Sequence, residues 1–170
     1  MPDRQVRSVA QDEIERIIGD DGKLPSSGRI EASPSNGHIS IGDPTAITRP
    51  RPDLAGRRLV RPGHAEVYVI DPQGYRRRIP NHTIYNRLFR SWSGIADDPS
   101  LAEISSRPQL TTGTVLIRGD ASARIYLLDE GLTRLITDAT VMDKYWFGWT
   151  QILVVRQELI EHIPAGPDWR

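Results

Sequence analysis

The sequence lacks cysteine altogether, and it lacks long apolar runs. Without cysteine the chain forms no disulfide, no thiolate nucleophile and no metal site that depends on thiolate ligands. No apolar run approaches the ~20 residues that a membrane-spanning helix needs. The N-terminal stretch also has no apolar core of the kind found in a secretory signal. We therefore expect no membrane span and, from the missing signal, a cytoplasmic location.

Aromatic residues are missing from the first 67 positions, and all 11 of them (4 Trp, 5 Tyr and 2 Phe) lie at or after Tyr68. Because large side chains dominate core energetics, the N-terminal third cannot build much of a core alone. An excess of charge of one sign is missing too, since 22 basic residues balance 22 acidic ones. This balance argues against a wholly basic nucleic-acid-binding protein, so we do not expect nucleic acid as a partner.

Residues 1–56 are predicted to form an N-terminal arm. Apolar residues at helical spacing indicate a short helix over 9–18, Asn36-Gly37 is typical of a hairpin turn, and prolines indicate an extended linker over 48–52. A helix of ~10 residues and a lone hairpin are each marginal in water, so the arm needs a surface to pack on. Either it docks on a protein partner or a second copy of the chain, or it folds onto its own C-terminal part as a cap.

The rest of the chain contains an internal repeat with an offset of 57 residues, apart from a one-residue shift between Val67 and Asp71. Repeat 1 covers 57–113 and repeat 2 covers 114–170, and one such unit is too small for a secure core of its own. So many matches in the same order are not expected by chance, and a repeat sets the architecture. The matched pairs include Val67–Asp71 with Ile125–Asp129, Arg77 with Arg134, Asn81 with Asp138, and Trp92 with Trp149.

Each repeat has the pattern of a β-hairpin followed by a helix. Apolar runs end in Asp71 and Asp129, whose side chains are expected to cap the turns that follow them. Asn81 and Asp138 are then expected to cap helices. The sequence therefore predicts an α+β fold of two tandem hairpin–helix repeats that share one core, with the N-terminal helix and hairpin as an arm or cap.

The order of an apolar strand ending in aspartate, a glycine turn, an arginine, a capped helix and a tryptophan resembles a known type of protein. It is similar to the tandem hairpin–helix repeat modules of uncharacterised bacterial proteins, which are often surface-associated. The resemblance covers about residues 58–165 and implies a fold without established catalytic residues. It also implies an extracellular or surface location and a carbohydrate or cell-surface ligand.

The residue types that carry catalysis or bind metals are present without the spacing that these functions need. The four histidines form neither a His-Glu-x-x-His nor a His-x-His pattern. The chain has no glycine loop for phosphate and no nucleophile elbow. We therefore predict no catalytic residues, no metal site and no cofactor.

Arginine is the basic residue that stands out. Repeat 1 holds 9 basic and 5 acidic residues, whereas residues 1–56 and repeat 2 each carry a net charge of −2. Arg77 and its match Arg134 are expected to be structural, bonded to carbonyls or to a carboxylate within their unit. Four further arginines form either a solvated face or a patch for an anionic ligand or partner, namely Arg76, Arg78, Arg87 and Arg90.

Tryptophan is the last candidate group. Trp92 and Trp149 follow the predicted helices at equivalent places, so we expect both to pack in the core. Trp169 has no match in the repeat, and it is either an anchor for a partner or part of a frayed tail. These expectations favour a non-catalytic interaction or structural module, for instance one component of a larger assembly. The alternative, which the resemblance implies, is a carbohydrate or cell-surface binding module.

Overall fold

Two four-stranded sheets and a few short helices form the part of the chain that this computed structural model describes, residues 47–170. The α+β class predicted from the sequence is therefore confirmed. The predicted helix over 9–18 and the predicted hairpin around Asn36-Gly37 lie outside the described residues.

The first sheet contains β1 (Arg58–Val60), β2 (Val67–Ile70), β3 (Arg76–Arg78) and β4 (Ala96–Asp97), in the order β3-β2-β1-β4. Strand β2 pairs antiparallel with β1 and β3, whereas β4 pairs parallel with β1. Gly74 lies in the turn between β2 and β3 at a φ of +87°, which glycine adopts without steric cost. The predicted hairpin of β2 and β3 is confirmed.

The second sheet contains β5 (Val115–Gly119), β6 (Ile125–Asp129), β7 (Leu132–Ile136) and β8 (Leu153–Val155), in the order β7-β6-β5-β8. Strand β6 pairs antiparallel with β5 and β7, whereas β8 pairs parallel with β5. The predicted hairpin of β6 and β7 is confirmed as well. Both sheets therefore combine one antiparallel meander with one parallel strand.

A short helix follows each hairpin and begins at the predicted cap. Helix α1 (His82–Leu88) starts after Asn81, whose side chain accepts a hydrogen bond from Ile84 N at 3.0 Å. Helix α2 (Ala139–Lys144) starts after Asp138, which accepts from Thr140 N at 2.8 Å and from Val141 N at 3.2 Å. These bonds satisfy backbone donors that the first turn leaves free. The third helix, α3 (Gln157–Glu161), follows β8.

An extended segment lies along the outer strand of each hairpin. Leu110 N donates to Arg78 O on β3 at 2.9 Å, and Trp169 N donates to Leu135 O on β7 at 2.8 Å. The bridges of both segments to these strands are parallel. The outer strand of each hairpin therefore has a backbone partner instead of an open edge.

The largest apolar cluster draws side chains from both halves of the described chain. Two smaller clusters lie in one half each, around Leu59 and Ile70 in the first and around Val115 and Ile117 in the second. The centre of the large cluster is aromatic, and neighbouring rings lie with centroids 4.7–5.6 Å apart. In order of contact these rings belong to Tyr85, Phe89, Phe147, Tyr145 and Trp169.

The two halves are also joined through the backbone where α1 and α2 end. Phe89 and Phe147 form an antiparallel bridge. Beside it, Arg90 N donates to Trp146 O at 3.0 Å and Gly148 N donates to Leu88 O at 2.8 Å. Apolar contact and backbone pairing therefore coincide at this junction.

The predicted linker is pinned against the first sheet. Arg49 N donates to Glu103 O at 3.0 Å, and Arg51 N donates to Gly74 O at 2.8 Å. A 3-10 helix over Pro52–Leu54 follows. A Cβ on Gly74 would lie 2.2 Å from Pro52 N, so only glycine lets the segment approach the hairpin turn this closely.

Candidate functional site

Trp92 and Trp149 do not pack in the core, so this prediction is wrong. Trp92 is 44 % exposed and Trp149 is 46 % exposed. The chain turns outward after each helix, and Phe89 and Phe147 fill the space between the helices instead. The exposed position of Trp92 makes it the starting point of the candidate site.

The indole of Trp92 is held in one orientation although it is half exposed. It lies flat on Tyr85, with ring centroids 3.8 Å apart and an interplanar angle of 20°. His82 meets it edge-on at 5.1 Å. Its Nε1 donates to Asn86 Oδ1 at 2.9 Å. Because α1 places His82, Tyr85 and Asn86 on adjacent turns, the helix itself builds the support for this ring.

Tyr85 is the buried base under Trp92. Its hydroxyl donates to Ser91 O at 2.7 Å and accepts a hydrogen bond from Arg58 Nη1. Burial raises the pKa of Tyr85, and the nearby Arg58 charge opposes that rise only in part. The raised pKa favours the neutral phenol, which is the form that donates to Ser91 O.

A cleft of about 550 Å³ opens beside Trp92, between the start of α1, the start of β2 and the end of β3. The apolar part of its lining includes Ile79 and Pro80. The polar part offers an amide, a carboxylate, a guanidinium, an imidazole and a hydroxyl, from Asn81, Glu66, Arg78, His82 and Thr83. An aromatic face next to several donors and acceptors is the usual make-up of a small-molecule site.

Each of the four arginines of the predicted patch bonds to a neighbouring acceptor. Arg76 donates to Leu101 O at 2.7 Å, and Arg90 donates to Phe147 O at 2.8 Å. The other two arginines bond along 109–112, where Arg78 reaches Gln109 Oε1 at 3.4 Å and Arg87 reaches Thr112 O at 3.3 Å. Of the four, Arg78 is the one that lines the Trp92 cleft.

Trp169 is buried rather than exposed, which corrects its prediction as a partner anchor. It is 3 % exposed, and its ring lies 5.3 Å from Tyr145 and 6.4 Å from Phe147. Its backbone bond to β7 matches the one that Leu110 makes to β3. Leu110 and Trp169 are 59 positions apart, so an offset of 57 does not align them. Because of this mismatch, repeat matching indicates no structural role for Trp169.

Asp71 caps its own turn as predicted, whereas Asp129 does not. Asp71 Oδ1 accepts from Gln73 N at 3.0 Å and from Tyr75 N at 2.9 Å. The Asp129 carboxylate instead accepts from Thr114 Oγ1 at 2.5 Å.

Asp129 also receives the charge of Arg77 from the other half, where Arg77 Nη1 lies 2.6 Å from Asp129 Oδ2. The two groups form a buried ion pair. The predicted structural role of Arg77 agrees with these contacts, but its carboxylate partner is not within its own unit.

Comparison of the chain with protein-family models, curated proteins and solved structures gave no match. Within residues 47–170, no helix combines the length and the apolar character needed to cross a membrane. The same residues hold no group of three or more His, Asp or Glu side chains placed to bind a metal ion.

Proposed function

We propose that the protein is a non-catalytic binding module and that the Trp92 cleft is where it binds. The observation that carries this proposal is the fixed and half-exposed indole of Trp92. An apolar ring left in water costs free energy, which a ligand regains when it covers the ring. Because Tyr85 and Asn86 already orient the ring, binding orders little more of the protein.

Carbohydrate is the ligand class that best fits this cleft. The C–H groups on one face of a sugar ring form an apolar surface that packs on an indole, while the hydroxyls need donors and acceptors around it. Asn81, Glu66 and Arg78 supply such groups beside Trp92. The cleft volume of about 550 Å³ lies within the range of roughly 300–1,000 Å³ that small-molecule sites occupy.

A glycan array followed by calorimetric titration tests this proposal. We expect Trp92→Ala to weaken the best glycan by about tenfold or more, because an aromatic stacking contact is lost. Trp149→Ala is the matched control, since it removes an equally exposed indole that has no ring partner among the described residues. An array without binding at high protein concentration, or equal losses in both variants, would contradict the proposal.

We further propose that the module consists of two copies of one hairpin–helix unit that share a core. Three observations support it: the equivalent strand orders of the two sheets, the caps at Asn81 and Asp138, and an apolar cluster that contains residues of both halves. The edge segments that end in Leu110 and Trp169 extend the correspondence beyond the sequence matches.

A protein partner or a second copy of the chain, docked through the residues before Ile47, is the second candidate. The proposal is supported by the sequence prediction that a short helix and a lone hairpin, each marginal in water, need a surface to pack on. Light scattering on the full chain and on a chain shortened to begin at Ile47 tests it. We expect the measured mass of the full chain to be twice 19.1 kDa or a higher whole multiple of it, and the shortened chain to be a monomer. If both chains are monomers, self-association through this segment is excluded.

A further inference from the structure

Arg58 is a buried cation whose hydrogen-bond partners are all neutral. It is 5 % exposed, and its Nη1 donates to the Tyr85 hydroxyl and to Ser91 O at 3.0 Å. Its Nη2 donates to Ser93 O at 2.8 Å. Between residues 47 and 170, no carboxylate forms an ion pair with it. Because buried charges are normally balanced by a counter-charge, one positive charge is left over here.

The guanidinium of Arg58 is held rigidly with one edge unused. The rings of Phe89 and Trp146 lie 5.5 and 5.7 Å from its central carbon. No described atom accepts a hydrogen bond from Nε, and Nη2 uses only one of its two N–H groups. Nε and Nη2 form the side edge that grips an oxyanion with two parallel bonds. Arg51 uses the same edge on Asp53, at 2.8 and 2.6 Å.

A cleft of about 280 Å³ lies at Arg58 and is separate from the Trp92 cleft. Arg57 adds a second cation to its lining, and Lys144 also lines it. Asp143 is the carboxylate in the lining, and Arg90 already pairs with it. The Lys144 ammonium points elsewhere, since its Nζ donates to the backbone carbonyl of the last residue at 3.4 Å.

Gly94 leaves the buried guanidinium approachable from this cleft. Its φ is +79°, and a Cβ at this position would lie 3.0 Å from Arg58 Nη2. Any side chain there would crowd the edge of the guanidinium that has free N–H groups. The absence of a side chain at Gly94 therefore leaves this edge of Arg58 open to the cleft.

We propose that this cleft binds an oxyanion, a phosphate or carboxylate group, on the Nε–Nη2 edge of Arg58, with Arg57 adding positive charge at the rim. The buried and oriented guanidinium gives the site its selectivity, because a flat two-oxygen edge matches its two free N–H groups. This proposal does not rest on the carbohydrate proposal, because the two clefts share no lining residue. Arg58 contacts the Trp92 cleft through its hydrogen bond to Tyr85.

Titration of the full chain, followed by amide and Arg Nε–H resonances in NMR, tests the proposal. Sodium phosphate and sodium acetate are the two probes, each at constant ionic strength. We expect saturable shifts centred on Ser93, Gly94 and the Arg58 Nε–H. Saturation by one probe alone assigns the site to that class of oxyanion. Shifts that rise without saturation, or that centre on other residues, would overturn the proposal.

Two variants keep the test independent of Arg58 itself, whose removal would disturb folding. Ala96→Asp places a carboxylate in the lining, and we expect it to weaken binding by at least tenfold, because like charges repel in a partly buried site. Ala123→Asp adds the same charge at an exposed position outside the cleft, and we expect no change from it. Equal effects of the two variants would show that general electrostatics, not this site, governs the shifts.

Discussion

At the scale of single residues, Arg77 joins the two halves from a buried position. Its side chain is 3 % exposed, and that of Asp129 is fully buried. Arg77 Nε also donates to Pro108 O at 2.9 Å. Removing one partner of a buried ion pair leaves the other charge without compensation, which is much more costly than losing a surface pair.

We therefore expect Arg77→Met to lower the free energy of unfolding by about 3–5 kcal/mol, measured by urea denaturation. Arg78→Met is the matched control on the same strand, and because Arg78 is exposed it should cost less than about 0.5 kcal/mol. Adding Asp129→Asn to Arg77→Met should restore part of the loss, since no unpaired charge then remains. Similar values for the two single variants would show that the pair does not stabilise the fold.

The sequence predicted a structural role for Arg77 but not its partner. Matching Arg77 to Arg134 indicates a shared role, whereas the pairing with Asp129 depends on how the two halves meet. The same limit explains why Asp71 and Asp129 differ. A turn capped by its own aspartate is a local pattern. The Asp129 carboxylate does not cap its turn, because it binds Thr114 and, from the other half, Arg77 instead.

At the scale of elements, the segment that ends in Trp169 completes the second sheet and its core together. Thr133 N donates to Pro164 O and Gly166 N donates to Thr133 O, both at 2.9 Å. The backbone of this segment thus pairs with β7, while the Trp169 ring packs in the large apolar cluster. Two kinds of interaction, backbone pairing and apolar burial, depend on the same few residues.

We expect Trp169→Ala to lower the free energy of unfolding by about 3–5 kcal/mol, as is typical when a large buried aromatic side chain is truncated. Trp149→Ala, which removes a half-exposed ring, should cost about 1 kcal/mol or less. Chemical denaturation of the two variants side by side measures both values. A loss for Trp169→Ala as small as that for Trp149→Ala would mean that the segment is not firmly seated.

The elements that sequence reasoning predicted well are those with local signals. Asn81 and Asp138 are helix caps whatever the tertiary structure, and the apolar runs of β2 and β6 end in turn residues. The exposure of Trp92 has no such signal, because a ring after a helix can face either way. The outcome depends on Phe89 and Phe147, which occupy the space between the helices.

At the scale of the whole molecule, we expect the two halves to unfold together. The largest apolar cluster includes Val69 and Tyr85 from the first half and Leu116 and Tyr145 from the second. The backbone pairing between Phe89 and Phe147 crosses the same boundary. Opening one half would therefore expose apolar surface on the other.

We expect calorimetric unfolding of residues 47–170 to occur as one transition, with a calorimetric enthalpy equal to the van't Hoff enthalpy. Two transitions, or a van't Hoff enthalpy near half the calorimetric one, would contradict the proposal that the two units share one core. The Arg77→Met variant provides a second test. If the halves are coupled, this variant should still show one transition at a lower melting temperature, rather than two transitions of which one has shifted.

The four tryptophans occupy three different environments, and this has a consequence for optical work. Trp92 and Trp149 are half exposed, Trp146 is partly buried, and Trp169 lies in the core. Water-facing indoles emit at longer wavelength and are reached by iodide, whereas a core indole emits at shorter wavelength and is shielded. A single fluorescence spectrum of this protein thus contains separable signals. Ligand binding in the Trp92 cleft should alter the long-wavelength part of the emission spectrum. Loosening of the aromatic cluster should alter the short-wavelength part, and neither measurement needs an added dye.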